Sequence, residues 1–200
     1  MDESADIIDA IRQENMTKIL DSGERLFRHF GYAKTNVADI ARDLGMSPAN
    51  IYRFFSSKTE IHQAICLRML DGIYHQAVEI TQLPISAADR LRQYVQAQYQ
   101  FTLAAMLDHE KVHEMVVVAI ERDWHVIEKH IDRLHDLIEE MIRQGIAAGE
   151  FADQDPVMAS RCFGAATLGL CHPQMVAQCL SKENRAMPDD LIEFAIKALR

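Results

Sequence analysis

The chain is expected to be all-α, with a small three-helix N-terminal module joined to a larger helical C-terminal domain. Three observations point there. Apolar residues recur at helical spacing through almost the whole length. No glycine or proline occurs between Pro84 and Gly145, so this long stretch lacks the residues that most often stop helices. No alternating apolar and polar run reads as a strand, and there is no internal repeat or low-complexity tract. With 48% of its 200 residues apolar, the chain has ample material for a core.

Taken in order, residues 1–10 are acidic and read as a frayed arm. A first helix follows over 11–30, with Ile19, Gly23, Leu26, Phe27 and Phe30 inward and Gly31 as its stop. Val37, Ile40, Ala41 and Leu44 then fall at i, i+3, i+4 and i+7 and define one apolar helical stripe. Gly45 sits just past it, where a helix end favours a left-handed residue. Ser47 is placed to cap a further short helix, and Pro48 suits its first position, where no N–H is missed. Ile51 and Phe55 give that helix its inward face.

Ser57-Lys58-Thr59-Glu60 has the form of a capping box opening a longer helix with the stripe Ile61, Ile65, Met69, Ile73, Ala77 and Ile80. Leu83-Pro84 ends it. Helices are expected over 87–107 (Leu91, Val95, Thr102 and Ala105 inward), over 112–120, and on a stripe of Ile127, Ile131, Leu134, Ile138, Met141 and Ile142 closed by Gly149. Asp155-Pro156 opens the next, which Pro173 interrupts or kinks. A last helix runs over 188–199. The domains are expected at 11–58, with a linking helix over 58–80, and at 81–200.

The net charge is −9, which argues against a protein that coats nucleic acid along its whole surface. The charge is uneven. From Arg12 to Lys58 eight Lys or Arg stand against five Asp or Glu, and from Thr59 onward 13 stand against 21. A mildly basic module on an acidic body suits contact with phosphate at one end only. Cys66, Cys162, Cys171 and Cys179 form no CxxC and read as reduced thiols in helical cores, with a redox sensor as the other reading. The N-terminus has no apolar core of a signal peptide, and no apolar run reaches the ~18 residues that span a membrane, so a soluble, cytoplasmic protein with no membrane partner is expected.

Two short helices with a glycine-containing turn are the form of the DNA-binding helix-turn-helix, whose second helix enters the major groove. With Thr35, Ile40–Ala41, Gly45, Ser47, Tyr52, Phe55 and Lys58 at their spacing, the stretch over 35–58 resembles the DNA-binding domain of the TetR family of one-component bacterial repressors. Many members carry His or Tyr where Phe54 stands here. Ala49 and Asn50, in the first turn of the second helix, are placed for base edges: Asn pairs with adenine N6 and N7, and Ala touches a thymine methyl. Arg53 suits a guanine or a phosphate. By resemblance Thr35, Ser47, Tyr52 and Lys58 contact phosphates, and Asn36 and Pro48 complete the expected DNA-facing set. Thr35 and Lys58 also stand at helix starts, which favour an anion. A lysine in a first helical turn is otherwise unfavourable, which supports a phosphate role for Lys58. The plainer reading packs Tyr52 in the core and leaves Asn50 merely exposed.

His109-Glu110-Lys111-Val112-His113 matches H-E-x-x-H, in which two histidines one turn apart share zinc and the glutamate acts as base. No further ligand stands at a protease spacing, and the strands that wall a protease cleft are missing. Solvated histidines are the favoured reading. A regulatory metal on His109 and His113, with His125 or Glu121 as third ligand, comes next, and a zinc hydrolase last. A helical adaptor without DNA binding is the remaining alternative. The histidines between His75 and His135 could sense pH, but they suit surface positions better. No cofactor is expected.

Helical bundles bind small molecules between helices, with aromatic walls. Tyr94, Tyr99, Phe101, Met106, Trp124, Phe163 and Met175 are candidates to line a pocket for a mainly apolar effector, which the resemblance implies. The resemblance also implies a homodimer built from the last two long helices. Gly164, Ala165, Ala166 and Gly169 permit close helix approach there, and Leu168, Leu191, Ile192, Ala195, Ile196 and Leu199 supply apolar faces. Together these readings describe a homodimeric repressor that a small molecule releases from a double-stranded DNA operator, and not an enzyme.

Overall fold

A computed structural model describes residues 3–107, 124–180 and 182–200, with side chains described over 7–104, 126–180 and 182–200. Among the described residues every regular element is a helix. They are α1 (Glu3–Phe30), α2 (Val37–Asp43), α3 (Pro48–Tyr52), α4 (Lys58–Thr81), α5 (Ala87–Leu107), α6 (Trp124–Ala147), α7 (Pro156–Cys171), α8 (Pro173–Leu180) and α9 (Pro188–Lys197). The helix expected over 112–120 lies outside the described residues. Two compact units divide the chain: one holds the residues up to Met69, the other the described residues from 70 to 107 and from 125 onward.

The first unit buries one cluster: Ile19, Leu26 and Phe27 from α1, Val37, Ile40 and Ala41 from α2, Ile51 from α3, Ile61 and Ile65 from α4, with Tyr32 and Phe55 between helices. α1 starts at Glu3, so the described part of the arm expected over residues 1–10 is helical instead. No glycine or proline before Gly23 interrupts it. Phe30, expected inward, is exposed at the helix end. Asn36 caps α2 in a full capping box: its side chain accepts from the Asp39 amide at 2.9 Å, and the Asp39 carboxylate accepts from the Asn36 amide at 2.9 Å. Gly45 turns the chain at φ +65°, and the Met46 amide closes back on the Ala41 carbonyl at 2.8 Å, ending α2.

In the second unit α5 packs on α7, α8 and α9, and α7 on α8 and α9. Leu91, Tyr94, Val95, Ile138, Met141, Ile142, Phe163, Ile192 and Ile196 are among its buried residues. Asp155 caps α7 as expected, its carboxylate accepting from the Val157 amide at 3.0 Å. α7 ends at Cys171 and α8 begins at Pro173, so the proline divides two helices. One cap comes from far along the sequence. The Glu150 carboxylate accepts from the Ala87 and Ala88 amides at 3.0 and 3.1 Å, closing the N-terminus of α5 alongside the local Ser86–Asp89 pair. Ile131 and Leu168, expected inward or at an interface, are both exposed.

Candidate nucleic-acid interface

α3 is short and held at its start. Ser47 Oγ accepts from the Asn50 amide at 3.2 Å, and Pro48 takes the first position. Ile51 is fully buried and fixes the helix on the core. That anchoring leaves Ala49, Tyr52 and Arg53 exposed and Asn50 half-buried, so Tyr52 is not the core residue of the plainer reading. A capping hydroxyl still has its hydrogen to donate, so Ser47 can hold both the helix and a phosphate oxygen.

Three residues of the expected DNA-facing set, two of them expected phosphate contacts, have partners inside the chain. Thr35 is 2% exposed, and its Oγ1 donates to the Gly31 carbonyl at 2.9 Å, which ties the turn that ends α1 and leaves no hydroxyl for DNA. Asn36 is exposed; its Oδ1 serves as the α2 cap, a role that does not use its side-chain N–H groups. Lys58 Nζ donates to the Tyr32 and Thr35 carbonyls at 2.9 and 3.0 Å and lies 4.2 Å from the Tyr32 ring centre. That internal clamp accounts for a lysine at a helix start without any phosphate.

The other cations sort sharply. Arg25 pairs with Asp43, Arg28 with Glu24, Arg42 with Asp39, Arg68 with Asp21 and Glu24, and Lys18 with Glu14. Hydrogen bonds from Arg25 and Ser22 hold the Asp43 carboxyl below its ordinary pKa. Among the described residues of the first unit, Lys58 aside, Arg12, Lys34 and Arg53 have no carboxylate partner; all three are exposed. Lys34 and Arg12 were passed over in sequence. Asp9, one turn before Arg12, is the partner that helical spacing suggests. The structure instead puts the Arg12 guanidinium carbon 5.6 Å from the centre of the Phe54 ring.

In the second unit Tyr94 and Phe163 are buried, and Tyr99 and Phe101 half-buried. Burial pushes the Tyr94 hydroxyl pKa upward and the Cys171 thiol up to about 12. Thr102 Oγ1 donates to the Cys171 carbonyl at 3.0 Å and joins α5 to the end of α7. Met175 is exposed on α8, which removes it from an enclosed wall. The Met106 and Trp124 side chains, His109, Glu110, His113 and Glu121, and the His125 side chain lie outside the described residues.

The expected dimer face also needs correction. Ala195, Ile196 and Leu199 are buried in the chain's own core, at 4%, 0% and 4% exposure. Leu191 packs against the same core. Gly164 is close-packed within its own chain: a Cβ there would stand 2.7 Å from His135 Nε2. Leu168 is exposed, as an interface residue would be. The exposed large apolar side chains of α7 and α9 are Val157, Met158, Leu168 and Phe194, the last 71% exposed. Phe194 and Met158 border an open groove of about 470 Å³, with Cys162, Ala166 and Ala198 along it. Cys162 is thus exposed and not a core thiol. Sequence reasoning missed Phe194 because its neighbours Ala195 and Ile196 carry the stronger periodic signal.

Residues 19–65 match the model of bacterial regulatory proteins of the tetR family, and residues 87–192 match the Tetracyclin repressor-like C-terminal domain. The second match alone spans more than half of the chain, which therefore belongs to the TetR family. The HTH-type transcriptional regulator YfiR of Bacillus subtilis is 24% identical over 163 residues, 73% of this chain and 72% of its own. Solved structures with this fold include a transcriptional regulator of the TetR/AcrR family from Thermobifida fusca, with a TM-score of 0.67 at 22% identity over 93% of this chain and 96% of that one. A protein from Saccharomonospora viridis, solved in complex with choline, has a TM-score of 0.67 at 24% identity over 92% and 95% of the two chains. The fatty acid degradation regulator FadR from Bacillus halodurans has a TM-score of 0.64 at 17% identity over 92% and 93%. The chain is a ligand-responsive, DNA-binding transcriptional regulator, and a hydrolase built on residues 109–113 is set aside with the adaptor reading. No helix among the described residues is long and apolar enough to cross a membrane.

Proposed function

We infer that the chain acts in the cytoplasm as a homodimeric repressor, released from a double-stranded DNA operator by a small and mainly apolar molecule. The observation that carries this reading is the setting of α3. Ser47 and Ile51 hold the helix by one side, and Ala49, Asn50, Tyr52 and Arg53 are left to face a groove and its phosphates. Asn50 reads adenine, Ala49 meets a thymine methyl, and Tyr52, Arg53 and Ser47 fix the register on the backbone. The apolar groove and Phe194 on α7 and α9 form the dimer face; Ala195 and Leu199, though largely buried, lie along that groove, and Ile196 stays in the core. Tyr94, Tyr99, Phe101 and Phe163 line the effector region of the second unit. A choline complex in one structural neighbour and fatty acid degradation in the name of another support an effector with a substantial apolar part.

An effector acts only through different affinities for two states. The DNA-competent state holds two recognition helices about 34–36 Å apart, or at a multiple of that. α4 is shared by both units, so displacement of its second half by an effector alters the setting of its first half. The test begins with duplexes selected by the purified protein from a random-sequence pool. Two related half-sites are expected, centred one or more helical turns apart. Small molecules that raise the thermal midpoint are then titrated with and without that duplex. By linkage the duplex must weaken effector binding by the factor with which effector weakens duplex binding. Equal effector affinity in both titrations would sink the release mechanism.

A further inference from the structure

We propose that Arg12 of α1 is a DNA-phosphate contact, held at the end of the recognition helix by the ring of Phe54; this rests on the reading of α3 as the DNA-reading helix. The electrostatic part of DNA affinity comes from cations that release counterions when they meet phosphate. A cation already paired with a carboxylate contributes little. In the first unit Lys18, Arg25, Arg28, Arg42 and Arg68 are paired in this way, and Lys58 is clamped on two carbonyls. Arg12, Lys34 and Arg53 remain uncompensated among the described residues of this unit.

Position then separates Arg12 from an ordinary surface arginine. Phe54 follows α3 directly, its amide donating to the Ile51 carbonyl at 2.9 Å. The Arg12 guanidinium carbon stands 5.6 Å from the Phe54 ring centre, so a residue far from the helix-turn-helix in sequence is brought beside the C-terminal end of the recognition helix. Carbonyls at that end favour a cation. Arg12 also sits well inside a continuous helix, nine residues after its start, so its backbone is fixed. An aromatic ring engages the face of a guanidinium and leaves the in-plane N–H donors, the set that grips a phosphate in two parallel bonds. Phe54 itself offers no hydrogen bond, so the pair supplies together what neither residue supplies alone.

The experiment uses the full chain and a duplex selected by the wild-type protein, with affinity measured from 50 to 200 mM KCl. Arg12→Gln should lower the magnitude of the salt slope by about 0.9 per subunit. For a dimer the ratio of affinities at the two ends of that range should then narrow about 12-fold. Base preference should stay unchanged. Arg12→Lys should keep most of the slope. Phe54→Leu keeps apolar volume but removes the ring, and should lose affinity in the same direction as Arg12→Gln. Thermal midpoints should match wild type for the exposed Arg12 variants. An Arg12→Gln slope equal to wild type overturns the contact and leaves the regulator reading intact, as does a Phe54→Leu chain that binds like wild type for the positioning by the ring. A wild-type chain that selects no sequence overturns the regulator reading and this contact with it.

Discussion

Lys58 Nζ lies 2.9 Å from the carbonyl oxygen of Tyr32 and over the ring of the same residue. The first residue of α4 thus closes the turn that separates α1 from α2. Lys58→Met should leave the Tyr32 and Thr35 carbonyls without this donor and destabilise the chain by about 1–3 kcal/mol. The salt slope for DNA is expected to stay unchanged, because the ammonium is engaged by two carbonyls and the ring. Thermal unfolding and a salt titration of duplex binding check both halves. A slope lowered by ~1 with unchanged stability would restore the phosphate role.

Asn50→Ala should relax base preference at one position in each half-site, at a cost of about 1–3 kcal/mol for the preferred base. Repeating the duplex selection with the variant reads this directly. An unchanged preferred sequence would reassign the base contact.

The helical layout was legible in sequence because each boundary carries local chemistry: Gly31, Gly45 and Gly149 at helix ends, Ser47-Pro48 and Asp155-Pro156 at helix starts. Which residues face a partner was less legible. Ile196 and Phe194 are both apolar and two apart, and periodicity cannot say that one is buried at 0% and the other exposed at 71%. The same limit applies to polar groups. The sequence places Thr35 and Lys58 at helix starts, and only the fold shows that backbone carbonyls already occupy them. Glu150 shows why long-range caps escape a sequence reading: its partners, Ala87 and Ala88, lie far away in the chain.

Glu150→Ala should remove two acceptors from the amides that open α5, with a loss of about 0.5–2 kcal/mol. The DNA-binding unit does not include this helix. Selected-duplex affinity at low temperature, where the chain remains folded, should therefore match wild type while the denaturant midpoint falls.

His130 is buried, and its Nδ1 has no hydrogen-bond partner among the described residues. Burial, reinforced by Arg133 and opposed by Asp71, lowers its pKa below the ordinary 6.5. The unfolded chain therefore binds a proton that the folded chain resists. Stability should be level above roughly pH 6.5 and fall as pH drops from there through the depressed folded value, by at most about 1.4 kcal/mol per pH unit. Thermal midpoints between pH 7.5 and 5 should show this decline, and His130→Gln should reduce it. An undiminished decline in the variant would place the responsible proton elsewhere, with half-buried His172, whose pKa burial also lowers, as the next site to replace.

Phe194→Glu should split the dimer with the fold retained, since the side chain is 71% exposed. Ile196→Glu should unfold the chain instead, because it buries an unpaired charge. Sedimentation with circular dichroism separates the two outcomes. A persistent dimer in Phe194→Glu would move the interface off this groove.

The ion pairs that tie Arg25, Arg28, Arg42 and Arg68 have a consequence for how the protein finds its target. A chromosome offers about 10⁶–10⁹ competing sites, and an unspecific cationic surface would keep most molecules parked on the wrong ones. With these four arginines paired to its own carboxylates, this domain is expected to hold random DNA more weakly than a surface of free cations would. Few molecules would then be lost to the background, and fewer copies would be needed to keep one operator occupied. The same economy of free charge makes each remaining cation count for more.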